Sequence, residues 1–356
     1  YSVVAGWTLS YIFTTAGGAF STRLTQPEIA EIFSRTVASP FQAIFWHFLF
    51  MLLTVGVVMG GVRRGIERWT KILMPLLFFI LLLLLVRSVT LEGAEVGIAV
   101  FLKADWSKVS GSTVIAALGQ AVFSLSLGVG TMITYGSYMN REEDIVRSAG
   151  LVSIFDTLIA VLAGLAIFPA LFTMPGMEPA VGAKLIFIVL PRLFSEIPFG
   201  TLFGTGFFVL LAVAAVTSSI SLLEVPVAYF VDERGWRRKR ATLFCGTIGF
   251  LIGIFSALSV GAVGWLSHIT DVGQRQMGFL DLMDLFMGQY SMTAGALLIA
   301  LFVGWRWGTS SLVSEIALDE NPGRLRKWIA FQIRFVCPTV LIGLIVYLIL
   351  NPNAFA

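Results

Sequence analysis

Ser124, Ser126, Gly128 and Gly130 alternate at the centre of residues 109–140, a run that carries no charge. The run is long enough to cross a membrane, yet two hydroxyls and two glycines at its centre are a poor recipe for an unbroken helix. In hydrocarbon, unwound backbone is tolerated only where it lines a cavity, because each free N–H or C=O costs about several kcal/mol. A helix broken at mid-membrane is where transporters hold substrate and ions; a packing kink is the other reading. Asp156 is the only charge between Arg147 and Glu178. A carboxylate at a helix centre costs about 2.5–3.5 kcal/mol on insertion scales, so it faces a cavity, a cation or a partner. Thr217, Ser218 and Ser219 are consecutive in a third apolar run. Such hydroxyls either bond back to a carbonyl one turn earlier or pack between helices, but adjacent ones also suit a small hard cation that prefers oxygen. Glu224 is a second intramembrane carboxylate, readable as half of a structural pair or as a proton carrier.

Other acids lie at the ends of apolar runs: Asp281 and Asp284 one helical turn apart in FLDLMD, and Asp232 with Glu233. Solvated acids at a helix end account for them by default. Intramembrane serine proteolysis requires a hydroxyl near a histidine, and the two histidines, His47 and His268, stand in no nucleophile motif. Isolated histidines and the separated Cys245 and Cys337 form no metal-ligand cluster, so the chain is not expected to be an enzyme.

The elements that must position these residues are membrane helices. Apolar residues make up 57% of the 356 and charged ones 13%, with a mean hydropathy of +0.89, which excludes a soluble core. A β-barrel would show short alternating segments instead of long apolar runs. A partial helix over 1–16 and spans near 41–61, 72–90, 112–139, 148–172, 203–230, 241–264, 280–305 and 328–350 define an all-α, polytopic membrane protein forming a single transmembrane domain.

The net charge of +3 does not point to nucleic acid, because the basic residues sit in short connections. Arg63, Arg64, Arg68 and Lys71 form one cluster, Arg234, Arg237, Arg238, Lys239 and Arg240 a second, and Arg324, Arg326 and Lys327 a third. The positive-inside rule makes all three cytoplasmic. The loops 17–40 and 174–204 are then extracellular, and prolines bracketing an apolar centre in the second suggest short helices folded onto the outer face. The apolar opening YSVVAGWTLSYIF is too short to span and lacks signal-peptide features, so Tyr1 is expected to lie inside a helix whose first half is missing.

Four segments carry a resemblance to the neurotransmitter:sodium symporter family, specifically its bacterial amino-acid transporters. GQAVFSLSLGVGTMITYGSY is similar to the family's sixth transmembrane helix and AAVTSSISLLEVPVAYFVDE to its eighth. FLDLMDLFMG resembles the tenth and GWTLSYIF the outer half of the third. The resemblance implies the inverted-repeat, broken-helix transporter fold of the LeuT kind, multi-pass in the cell's inner (cytoplasmic) membrane among lipid. It also implies that the first two helices and half of the third are absent, so that this polypeptide alone is expected not to transport.

Residue roles follow from the resemblance. Tyr1 falls on the tyrosine that holds the substrate carboxylate and Phe123 on the aromatic lid. Ser126 and the carbonyls of Phe123 and Ser124 fall around the substrate amine, while Val129, Ser218 and Leu222 line the pocket. A first sodium site would use Ser124, Asp156 and the substrate carboxylate; a second would use the Ala214 carbonyl with the hydroxyls of Thr217 and Ser218. Asp284 matches an outer-gate aspartate, Asp232 an inner-gate aspartate, and Tyr138 a tyrosine near the inner gate. Chloride-dependent members carry Asn at the position of Asp156 and Ser at that of Ala160. A fixed carboxylate would supply chloride's charge and repel the anion, so two sodium ions and no chloride are expected. The implied function is sodium-coupled import of an amino acid with an apolar side chain. A proton-coupled amino-acid or polyamine carrier using Glu224 or Asp156, and a non-transporting membrane ligand sensor, are the alternatives.

Overall fold

Residues 1–103, 105–140, 142–173, 182–272, 275–316 and 323–351 are described by a computed structural model. Among them, seven helices are long and apolar enough to cross a membrane: Pro40–Met59, Arg68–Val89, Ile145–Phe172, Gly200–Asp232, Arg238–Leu258, Phe279–Glu315 and Arg326–Leu350. Gly111–Ser124 is a shorter apolar helix. The architecture is all-α apart from one small hairpin pairing Thr270–Val272 with Arg275–Met277. Pro75, Pro169 and Pro226 lie inside helices Arg68–Val89, Ile145–Phe172 and Gly200–Asp232.

The helices differ from the sequence reading in three places. Residues 17–40, read as an extracellular loop long enough for structure of its own, contain the 13-residue helix Gln26–Ala38. Its start is fixed by Glu28, whose Oε2 accepts hydrogen bonds from the Thr25 backbone N–H at 2.7 Å and hydroxyl at 2.8 Å. Those two donors hold the Glu28 carboxyl below its ordinary range. The span read as 241–264 ends as a helix at Leu258 and the chain turns at Ser259, while the one read as 280–305 continues in helical form to Glu315. Of the 174–204 loop, residues 174–181, Glu178 included, lie outside the described residues; beyond them Leu190–Glu196 is helical.

The chain divides into two compact units. The first comprises residues 1–103, 159–269 and 278–280. Here helix Ser2–Ala16 packs between Gly200–Asp232 and Pro40–Met59, and Arg238–Leu258 lies against Pro40–Met59. Gly6 permits the approach to Pro40–Met59, since a Cβ there would stand 2.8 Å from the Trp46 carbonyl carbon. Small residues at such crossings are how membrane helices gain packing without a hydrophobic driving force. An aromatic cluster of Trp7, Tyr11, Phe20, Phe33, Phe187 and Phe208 packs within the core of the unit. The fully buried Tyr11 donates its hydroxyl to the Phe187 carbonyl at 3.1 Å, the partner a buried phenol requires. Beside Pro169, the Ala170 N–H donates to the Ser88 hydroxyl at 3.0 Å, one of the ways a proline inside a membrane helix is accommodated.

The second unit comprises residues 105–158, 270–277 and 281–356, as far as these are described. Its core is Val122, Met292, Ala296, Leu341, Leu344 and Leu348. Helix Gly111–Ser124 ends in this unit and the chain resumes as a single short helix, Thr131–Gly136.

Replacing Gly6 by Val should lower the thermal unfolding midpoint in detergent, at a cost of about 1–3 kcal/mol for overpacking. Gly56→Val, where a Cβ meets nothing within 4 Å, should leave the midpoint unchanged in the same assay.

Candidate functional site

The break follows Ser124. The N–H groups of Leu125, Ser126 and Leu127 donate to the carbonyls of Ala121, Phe123 and Val122, tightening the helix end, and among the described residues no backbone N–H donates to the Ser124 carbonyl. Ser126 takes a left-handed conformation with φ +52°, uncommon for a residue with a side chain. Gly130, at φ +86°, turns the chain into Thr131–Gly136. At Gly128, φ +145°, any side chain would collide with the Met292 carbonyl, and Gly295 on the facing helix is small for the reciprocal reason. The two glycines and two serines that signalled a break are thus residues that form it.

At the end of the first half-helix, the Ser124 hydroxyl lies 2.6 Å and 2.7 Å from the two carboxylate oxygens of Asp156. The two residues are far apart in sequence, and both belong to the second unit. One hydroxyl proton serves one oxygen at a time; turned to present its lone pairs, the same serine would converge with the carboxylate as a set of hard oxygen donors. Sodium, a hard cation, takes ligands of this kind, and a half-helix C-terminus with unwound carbonyls is a cation-coordinating element.

In the first unit the three consecutive hydroxyls of helix Gly200–Asp232 diverge. Thr217 donates to the Ala214 carbonyl at 2.8 Å, Ser218 shares a hydrogen bond with the Tyr1 side chain, and Ser219 lies 2.7 Å from the Thr54 hydroxyl. Ala214 and Thr217, both assigned to the second sodium site, therefore already present their oxygens together. Ser218, the third member, is exposed. A cavity of about 430 Å³ in this unit is lined by Tyr1, Leu222, Thr54 and Ser219 among mostly apolar side chains. Ala214, Thr217 and Ser218 do not line it.

Glu224 is fully buried and pairs with the Arg238 guanidinium. The same guanidinium donates to the Val58 carbonyl at 3.0 Å, so one cation ties helices Pro40–Met59, Gly200–Asp232 and Arg238–Leu258. Sequence reasoning placed Arg238 in a basic cluster and did not single it out; nothing distinguishes it from Arg237 or Lys239 until the fold brings Glu224 near. Thr54, the partner of Ser219, was also missed, since a lone threonine in an apolar run gives no signal.

The remaining expected residues are placed as follows. Phe123 is exposed, Ser126 and Val129 are half-buried, and Val129 packs against the core of the second unit. Tyr138 lies just past Thr131–Gly136, half-buried. Asp284 begins a wider, π-type stretch, Asp284–Ser291, and Asp232 is the last residue of its helix; both are exposed.

A bundle of apolar helices, one of them interrupted beside an intramembrane carboxylate, defines a multi-pass membrane transporter. The chain matches the Sodium:neurotransmitter symporter family over residues 33–355 and belongs to that family. It is 38% identical over 343 residues to the sodium-dependent transporter YhdH of Bacillus subtilis, covering 96% of this chain and 74% of YhdH. A sodium-dependent transporter of Haemophilus influenzae is 35% identical over 345 residues, covering 96% of this chain and 74% of that one. The sodium-dependent nutrient amino acid transporter 1 of Drosophila melanogaster is 29% identical over 318 residues, 85% of this chain and 46% of that protein. The crystal structure of MhsT in complex with L-phenylalanine superposes with a TM-score of 0.85 at 39% identity, over 97% of this chain and 77% of MhsT. The protein is accordingly a sodium-dependent transporter with the fold expected from its sequence, and not an enzyme.

Arg238→Gln leaves Glu224 buried without its cation and should destabilise the protein by about 3–5 kcal/mol. Glu224→Gln with Arg238→Gln should recover part of that loss, measured as coupling in a double-mutant cycle of thermal unfolding.

Proposed function

We propose that this protein is a sodium-coupled symporter that brings an amino acid with an apolar side chain into the cell by alternating access, using two sodium ions and no chloride. The observation that carries the reading is the Ser124–Asp156 contact at the broken helix. A relative of near-equal fold is solved with L-phenylalanine, and relatives in Drosophila are named as transporters of nutrient amino acids. The proposed import is across the cell's inner membrane.

By the family resemblance, Tyr1, Phe123, Ser124, Ser126, Val129, Ser218 and Leu222 are assigned to the amino acid. Asp156 and Ser124 are assigned to one sodium ion, completed by the substrate carboxylate; sharing a ligand in this way makes ion and substrate raise each other's affinity by the same factor. The Ala214 carbonyl, Thr217 and Ser218 are assigned to the other. Asp284, Asp232 and Tyr138 are assigned to the gates. A carboxylate fixed at position 156 supplies the negative charge that would otherwise have to come from an anion. The pairing of Glu224 with Arg238 favours a structural role for Glu224 and speaks against the proton-coupled alternative that would use it.

Each sodium ion crossing about 100 mV releases about 2.3 kcal/mol. Two release about 4.6 kcal/mol, enough to concentrate a neutral amino acid on the order of a thousandfold.

In sealed proteoliposomes prepared with the complete reading frame, labelled L-phenylalanine should accumulate with sodium outside and not with potassium, equally in chloride and gluconate. Sodium-independent uptake, or dependence on chloride, would count against the reading. Asp156→Asn should cut uptake in gluconate by at least about tenfold, the loss of a charged ligand. Asp156→Asn combined with Ala160→Ser should recover part of it when chloride is added.

A further inference from the structure

The two C-terminal membrane helices lose their apolar character at one level. Residues 285–305 are uncharged and end at Arg306; residues 335–350 are uncharged and begin after Arg334. The Trp305 indole Nε1–H donates to the Arg334 carbonyl at 3.0 Å, so these two boundaries lie side by side. The Arg334 guanidinium carbon stands 4.9 Å from the Trp305 ring centroid and 5.5 Å from that of Phe335, and the two rings meet edge to face at 5.8 Å. Both helices adopt wider, π-type turns here, Phe302–Gly308 and Gln332–Val336.

The charge at this level is unbalanced. Arg306, Lys327 and Arg334 are exposed, and among the described residues none of them has a carboxylate partner. Glu315 is the one acid in the described parts of 302–336. Trp305, Trp307 and Trp328 are 57%, 43% and 58% exposed. Tryptophan concentrates where hydrocarbon meets headgroups, and the basic third connection makes this end cytoplasmic. Aromatic side chains thus hold a cation at headgroup depth, with no carboxylate partner among the described residues.

We propose that this surface is a binding site for an anionic phospholipid of the cytoplasmic leaflet, its headgroup phosphate engaged by Arg306 and Arg334 and its upper acyl chain lying on Trp305 and Phe335. Charge complementarity selects the occupant: a zwitterionic lipid brings its own cation and gains less from three unpaired ones. Basic pockets between membrane helices on this side bind acidic headgroups by the same physics, and a guanidinium stacked on an aromatic face is oriented for a phosphate at little further entropic cost.

The test is native mass spectrometry of the purified protein released from nanodiscs holding equal phosphatidylglycerol and phosphatidylcholine. The wild-type protein should retain phosphatidylglycerol preferentially. Arg306→Gln should reduce that preference about fivefold, the worth of one basic side chain at an anionic surface, and Arg306→Lys should keep most of it. Arg306 has no partner among the described residues, so its substitution is not expected to disturb the fold; an unchanged elution profile checks this. Arg306→Gln with Arg334→Gln should retain the two lipids equally. Equal retention by the wild-type protein, or a preference that survives both substitutions, would falsify the proposal.

Discussion

Backbone released from a helix inside hydrocarbon must be surrounded by protein, and the rest of this structure depends on how that constraint is met between Ser124 and Thr131. On one side the segment is pressed against Met292 so closely that only glycine fits at 128 and 295. On the other, Asp156 comes within hydrogen-bond distance of Ser124. The break and the carboxylate make each other tolerable: the unwound end provides polar company for a charge in mid-membrane, and the charge provides a partner for a polar end. In the proposed reading a cation is the third member, because the oxygens gathered there outnumber the protons available to them.

The helix Gly200–Asp232 meets the same constraint differently. Successive side chains on a helix diverge, so three adjacent hydroxyls cannot act as a single ligand set. Thr217 turns back to Ala214, Ser218 meets Tyr1, and Ser219 is used up in holding Thr54. Two of the three are those proposed to serve ion and substrate, and the third secures the helix to its neighbour. Below them, Glu224 and Arg238 bind three helices through one guanidinium.

Much of this was legible in the sequence, for identifiable reasons. The break showed itself because glycine and serine alternated in a run otherwise fit for a helix, and Asp156 because a lone charge in an apolar span has few explanations. Residues 17–40 read as a loop long enough for structure of its own, but helix Gln26–Ala38 could not be placed within it, since its charged face hides it from a hydropathy reading and its apolar face is only Ile29, Val37 and their neighbours. The end of Arg238–Leu258 was overrun because apolar residues continue through Val263 after the helix has stopped. The role of Arg238 was invisible for a different reason: in a run of basic residues, selection of one as an ion-pair partner is made by tertiary approach, and no local pattern records it.

The account's central claim is that Ser124 and Asp156 bind sodium together with the amino acid. Equilibrium binding of labelled L-phenylalanine to the purified protein, titrated with sodium in gluconate at constant ionic strength, tests it most directly. The account predicts binding that rises with sodium and a sodium requirement shifted to higher concentration in Ser124→Ala. Binding of equal strength in potassium, or a sodium curve unmoved by that substitution, would contradict it.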